Sequence, residues 1–477
     1  MKNNSPKKNF IYNLSYQILA LIIPLITSPY LSRKVGADGV GIYSYTYSIV
    51  YYFMLFTLLG VSNYGNRMIA QVRDDKEKVS KTFWSIYLFQ FFMGIFMLAL
   101  YLGYIIIFDN QYQTIAFIQS FFIISAILDI NWFFFGLEEF KKTIVRNSIV
   151  KIANLILIFL FVKYPTDLWK YTLIMSCMTC LGQIVLWPFV LKKIKFVRVE
   201  LSDILKHIKS NFILFIPVIA VSLYKIMDKI MLGFLTSVDE VGYYEYAEKI
   251  VNIPLTIITA LGTIMLPRIS NIVAKGCLKQ VNNYITKSIN FVMFVSFAMC
   301  FGLIAIGYNF APFYFGADFQ KSGILIMLLA CTMPLLSFAN VIRTQYLIPM
   351  EKDKIYINSV IFGALSNLIV NYLLIPKYKS VGACIGTIIA ELVVTITQVY
   401  SIKKEINVSI YIKNIIPFFL KSIVMFIFVY AINYININEG IRLILQLLIG
   451  ILLYSILNYK YILSVVNLKS LKVGKLK

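Results

Sequence analysis

The sequence predicts an all-α polytopic membrane protein of about fourteen transmembrane helices, and three observations carry that reading. Of 477 residues, 59% are hydrophobic and 14% charged, against roughly 45–50% and 25% in water-soluble domains. The apolar residues gather in stretches of roughly 20, the length a helix rising about 1.5 Å per residue needs to cross hydrocarbon. The chain also repeats itself: Asp38-Gly-Val-Gly-Ile-Tyr-Ser-Tyr-Thr-Tyr-Ser-Ile-Val50 lies over Asp239-Glu-Val-Gly-Tyr-Tyr-Glu-Tyr-Ala-Glu-Lys-Ile-Val251 at a constant shift of 201.

The first seven spans are expected at 10–32, 40–63, 82–108, 114–136, 145–163, 168–191 and 211–235. The second seven are expected at 241–265, 284–308, 322–348, 355–375, 381–402, 414–434 and 441–459. The basic start MKNNSPKKNF precedes an apolar run that continues to about Ser32, longer than a signal-peptide core. Cytoplasmic loops carry the excess of lysine and arginine. With the N-terminus in the cytoplasm, most of the 45 basic residues fall on that side or at its edge, against Arg33, Lys34, Lys163, Lys170, Lys321, Lys377 and Lys379 on the other. Both termini are therefore expected on the cytoplasmic side. The net charge of +23 then reads as topology and attraction to anionic lipid, not as nucleic-acid binding.

Composition excludes several chemistries. The single histidine, His207, and six scattered cysteines form no metal-ligand cluster and no disulfide framework. Cys177 and Cys180 have CxxC spacing but lie in an apolar run, where small residues pack helices. No GxxxxGK[ST] phosphate loop occurs, so no cofactor is expected and energy must come from ion gradients, membrane potential or substrate mass action. The longest stretch on the outer side, 308–321, leaves no room there for a catalytic domain.

The repeat sets spans 1 and 2 against 7 and 8, and the match of Asn147-Ser148 with Asn358-Ser359 sets 4 and 5 against 10 and 11. Mates stand six helices apart; an even number preserves orientation, so the repeats are parallel, related by an axis along the membrane normal. The expected organisation is an N-terminal six-helix bundle over 1–200, a C-terminal six-helix bundle over 201–405, and an extra helix pair with a basic tail over 406–477. The basic segment Lys192–Lys209 is the candidate boundary between bundles. Two such bundles around a central cavity that opens alternately to each side are transporter architecture.

Ionisable residues inside spans are costly and mark cavities or partners. Asp228 and Glu248 stand ten residues either side of the hairpin apex near Val238, with Lys225 and Lys229 flanking the first and Glu245 and Lys249 the second. This set reads either as a salt-bridged brace or as a charged cavity wall. Arg67 and Arg268 match at the shift of 201, each just beyond the second helix of its half. They read as interface anchors, or as paired guanidiniums able to bind a diphosphate through bidentate hydrogen bonds. Arg343 is a third candidate, with Asp129 on the corresponding turn of the other half as a plausible facing partner. Glu391 lies near the middle of its span. No metal or catalytic residue is expected.

Five strings resemble a known family in their order and spacing: Ser28-Pro-Tyr-Leu-Ser-Arg-Lys-Val-Gly36, Asp129-Ile-Asn-Trp-Phe-Phe-Phe-Gly-Leu-Glu-Glu139, Asp228-Lys-Ile-Met-Leu-Gly233, Val241-Gly-Tyr-Tyr-Glu-Tyr-Ala-Glu-Lys249 and Leu266-Pro-Arg-Ile-Ser270. The chain resembles the Wzx-type repeat-unit flippases for bacterial O-antigen, capsule or exopolysaccharide, within the multidrug/oligosaccharidyl-lipid/polysaccharide exporter superfamily. The resemblance implies a transporter, not an enzyme, moving undecaprenyl-diphosphate-linked oligosaccharide units from the cytoplasmic to the outer leaflet by alternating access. It implies membrane lipids as surroundings, with a polysaccharide polymerase and a chain-length regulator as possible partners. The alternatives are a multidrug/cation antiporter of the same superfamily and a flippase for the lipid-linked peptidoglycan precursor.

Overall fold

Hydrocarbon offers no partner to a peptide group, so each apolar stretch closes its own hydrogen bonds as a helix. A computed structural model describes residues 6–108 and 111–465, and among them the regular structure is helical throughout. The chain packs as two compact units divided between Gly242 and Tyr243. The first holds α1 (Pro6–Leu58), α2 (Val61–Val72), α3 (Lys76–Phe108), α4 (Gln113–Ile127), α5 (Asn131–Gly136), α6 (Phe140–Phe161), α7 (Leu168–Leu191), α8 (Leu201–Leu205), α9 (Ile208–Leu235) and the opening of α10 (Val238–Ala274). The second holds the rest of α10, then α11 (Leu278–Phe315), α12 (Gln320–Ala330), α13 (Thr332–Ile342), α14 (Asp353–Tyr378), α15 (Ser380–Ile402), α16 (Val408–Ala431) and α17 (Glu439–Leu457).

Among the described residues, twelve helical stretches are long and apolar enough to cross a membrane. One of them, Ser15–Val72, covers two expected spans, because Gly36, with φ at 70°, interrupts α1 between them. Helix α9 occupies the expected seventh span. Side chains such as Ile106 and Ile107, 64% and 67% exposed, suit a lipid-facing surface.

In the first unit, α4 packs on α1, α3 and α7, and α6 on α1 and α7. The chain breaks between α4 and α5, which would strand backbone carbonyls in an apolar interior. Gln90 meets them: its Nε2 donates to the carbonyls of Ala126 (2.7 Å) and Asp129 (2.9 Å), while its Oε1 accepts from Trp132 Nε1 (3.1 Å). Trp132 stacks on Phe83 at 5.4 Å. Gly65 makes room for the indole, since a Cβ there would fall 2.6 Å from it.

The basic segment expected as a boundary is fastened to the first unit. Trp84 Nε1 donates to the Lys195 carbonyl (3.0 Å), and Lys195 N donates to Ser80 Oγ (3.1 Å). Asp203 takes ion pairs from Lys206 (2.7 Å) and Lys81 (2.9 Å), whose hydrogen bonds hold its carboxyl down at about 2. His207 is buried, with Tyr64 Oη 2.7 Å from Nδ1 and Ser85 Oγ 2.8 Å from Nε2. The repeat and the packing thus divide the chain at different points, because α9 packs on α1 and α2. The openings of two repeat-related segments also meet backbone to backbone: a Cβ on Gly41 would fall 1.7 Å from the Val238 carbonyl oxygen, and one on its mate Gly242 would fall 2.2 Å from that of Ala37.

In the second unit α11 carries α12, α13, α16 and α17, and α14 pairs with α15 along its length. The extra pair expected at the C-terminal end is tied to α11 by polar bonds: Tyr454 Oη donates to the Phe294 carbonyl (2.9 Å), and Asn309 Nδ2 to Asn433 Oδ1 (2.9 Å). A π-helical turn, Arg343–Leu347, follows α13. Such wide turns recur at functional sites.

Burial lowers the His207 imidazole from 6.5 to about 4. Between those values the unfolded chain binds a proton that the folded chain does not, so stability rises with pH across that window. The unfolding temperature of detergent-purified protein is expected to fall from about pH 7 to about pH 5, and His207→Gln to flatten the slope. The same slope in both proteins would remove His207 from the account.

Candidate functional site

The break between α4 and α5 places Asp129 where its Oδ1 accepts from Asn131 N (2.8 Å) and Nδ2 (2.7 Å). Asn131 Oδ1 in turn accepts from Arg146 Nη2 at 2.6 Å. Arg146 is 8% exposed and its Nε has no hydrogen-bond partner. It lies against Gly182, where a Cβ would fall 3.2 Å from Nη1. Its charge is felt by both Asp129 and Tyr16. A buried charge persists only when paired or hydrogen-bonded, and this relay across three helices supplies that. Sequence reading missed Arg146 because it stands at the edge of an expected span, where an arginine reads as an anchor. Its fit against Gly182 is visible only in three dimensions.

Asp129 thus finds its partners inside its own unit, and so does Arg343. In the second unit Arg343 Nη2 donates to Asn340 Oδ1 (3.3 Å), and its guanidinium lies 5.5 Å over the Tyr356 ring. The adjacent Gln345 is wholly buried, with both side-chain amide atoms unbonded. Gly262 faces this turn closely enough that a Cβ would fall 3.0 Å from both Asn340 Oδ1 and Thr344 Oγ1.

Of the charges around the α9–α10 hairpin, Asp228 is 1% exposed, Lys225 is exposed, and Lys229 and Glu248 are half-buried. On α10, Lys249 pairs with Glu245 at 3.0 Å, one helical turn away, and its ammonium lies 4.8 Å over the Tyr246 ring. Tyr246 stacks on Phe315 at 4.6 Å, which fixes the ring under the charge. Glu391 on α15 is buried.

Arg67 and Arg268 are both exposed, and each rests on a tyrosine of its own unit. The Arg67 guanidinium is 5.9 Å over Tyr64, the ring whose hydroxyl meets His207. Arg268 lies 4.6 Å over Tyr284 and donates to its hydroxyl at 2.6 Å. A guanidinium held by its face on an aromatic ring keeps edge donors available for an oxyanion.

Charged and polar side chains buried among helices of membrane-spanning length describe a multi-pass membrane protein. The chain belongs to the polysaccharide biosynthesis protein family, which matches residues 7–273, more than half of its length. An O-antigen transporter candidate of Escherichia coli (strain K12) is 25% identical over 396 residues, 82% of this chain and 95% of that one. Another, of Shigella dysenteriae, is 22% identical over 405 residues, 83% of this chain and 100% of that one. Among solved structures, lipid II flippase MurJ in an inward closed conformation superposes with a TM-score of 0.77 at 19% identity, covering 96% of this chain and 99% of that chain. The last likeness shows a shared fold.

Replacing Arg146 by methionine is expected to cost about 3 kcal/mol, because it leaves the Asp129 relay without its cation. Asp129→Asn in that background should recover part of the loss. The coupling is read from thermal unfolding of the two single variants and the double variant; strictly additive losses would mean that the two groups do not interact.

Proposed function

We propose that the protein turns oligosaccharide repeat units carried on undecaprenyl diphosphate from the cytoplasmic to the outer leaflet of a bacterial inner membrane, for surface polysaccharide synthesis. The observation that carries this reading is the pair Arg67 and Arg268: repeat mates, exposed, each resting on a tyrosine of its own unit. With both termini in the cytoplasm, these arginines stand at the cytoplasmic entrance and receive the diphosphate. Family membership and the names of the relatives support a polysaccharide-related cargo. In this reading two six-helix bundles, 1–200 and 201–405, rock around a central cavity while the helix pair of 406–477 accompanies the lipid tail. The polymerase and chain-length regulator receive the product on the far side.

Asp129, Asp228, Glu245, Glu248, Lys249 and Glu391 are the charge-cluster or ion-coupling candidates, and Lys225 and Arg343 the further cations of the substrate path. Bilayer burial makes a carboxylate expensive unless paired, so a gradient ion that exchanges with its partner can drive the rocking.

Charge reversal of Arg67 and Arg268 together is expected to abolish surface polysaccharide while the protein remains inserted; normal export from that double variant removes them from the mechanism. Asp228→Asn or Glu248→Gln should change the dependence of flipping on proton or sodium gradients in reconstituted vesicles. Unchanged ion dependence would favour a salt-bridged brace.

A further inference from the structure

A cavity of about 620 Å³ lies in the first unit, and neither Arg67 nor the buried relay lines it. Its wall is built by the start of the second half of α1, the end of α3 with the turn into α4, and the α9–α10 turn. The polar lining includes Asp38, Tyr45, Tyr104, Gln111, Tyr112 and Asp239. Asp38 and Asp239 are repeat mates, so each half of the repeat supplies one carboxylate. Beside them lies the Gly41–Gly242 backbone contact, which closes the space between the two segments.

The lining discriminates among ligand classes. Among the described residues no lysine or arginine contributes to it, and two carboxylates repel a phosphate or an acidic sugar. A tight metal site is also disfavoured, since no group of three or more histidine, cysteine or carboxylate side chains able to hold a metal occurs among the described residues. Three tyrosines, an amide and two carboxylates instead match a pyranose, which presents C–H faces to aromatic rings and hydroxyls to acceptors. The volume falls within the range of about 300–1,000 Å³ typical of small-ligand sites. The ring of Tyr45 is set by its surroundings: it meets Tyr112 edge-on at 6.5 Å, and a Cβ on Gly233 would fall 2.2 Å from it.

We infer that this cavity is a saccharide subsite for neutral or amino-bearing sugar units, separate from the cation-lined entrance that takes the diphosphate. Its side of the membrane rests on the function proposed above: the lining follows spans 1, 3 and 7, so it faces outward when the N-terminus is cytoplasmic. There it holds the glycan head on the exit side while its carboxylates turn the diphosphate away. An oligosaccharide that dwells there remains beside the Gly41–Gly242 contact.

The test uses the full-length protein in nanodiscs and saturation-transfer NMR with two water-soluble probes, an N-acetylglucosamine tetrasaccharide and a tetra-uronate of equal length. The neutral probe should give a signal at least about fivefold stronger than the acidic one. Tyr112→Ala, Asp239→Asn and Gly233→Ala should each cut that signal about fivefold while eluting as the native protein does on size exclusion. Arg67→Ala with Arg268→Ala should leave it unchanged. Equal signals from the two probes, no signal from the neutral one, or full signal in Tyr112→Ala and Asp239→Asn would overturn the assignment. Because the arginine variants test export and the cavity variants test binding, lost binding with arginine-dependent export intact sinks this inference alone. For the side, the neutral probe should bind vesicles that expose the face opposite an N-terminal tag, and binding on the tagged face overturns the exit-side assignment.

Discussion

A peptide group in hydrocarbon has no water to bond with, and every feature of this protein answers to that shortage. Continuous apolar stretches meet it by coiling. Where the chain must stop coiling inside the protein, a side chain replaces the missing backbone partner. Gln90 does so at the break between α4 and α5, reaching the Asp129 carbonyl from a neighbouring helix and adding a second donor to that of Ala126, which the Asp129 N–H already meets at 3.3 Å. The Trp132 indole then completes the glutamine's own bonding, so one amide joins a helix break to the aromatic cluster around it.

The same shortage governs charge. Arg146 is tolerable because Asn131 passes its hydrogen bond on to Asp129, and Lys249 because Glu245 and the Tyr246 face lie within one turn. At and near the helix ends, further charges pair toward solvent: Lys81 and Lys206 on Asp203, Lys142 and Lys193 on Glu139, Lys352 on Glu405. These exposed pairs contribute little singly. Their effect is positional, since they tie the basic segment after α7 to α3 and leave Arg67 and Arg268 outside any ion pair shown by the structure, each resting on its tyrosine.

A transporter must combine rigid bundles with a place where helices can part. The glycine contact between residues 37–41 and 238–242 is suited to that, because backbone meets backbone without interlocked side chains. Its two members are repeat mates, so the duplication that built the fold also built a self-complementary contact. The charges did not follow the duplication: Asp228 and Glu248 have Thr27 and Tyr47 at the matching positions of the first half.

Helical class, the approximate positions of the spans and the repeat were legible in the sequence because hydrophobicity and periodicity are local and additive along the chain. The candidates Arg67 and Arg268 were legible for the same reason, since a constant shift aligned them. Tertiary structure alone decided the rest. It joined Arg146 to Asp129 through Asn131, seated Arg67 and Arg268 each on a tyrosine, fastened the segment around His207 to the first unit, and gathered Asp38, Tyr112 and Asp239 around one cavity. Apart from Asn131 beside Asp129 and Tyr64 one turn before Arg67, those partners stand tens to hundreds of residues apart. What brings them together is side-chain packing across helices, where a glycine such as Gly182 or Gly233 matters for the space it leaves, and no local pattern encodes that space.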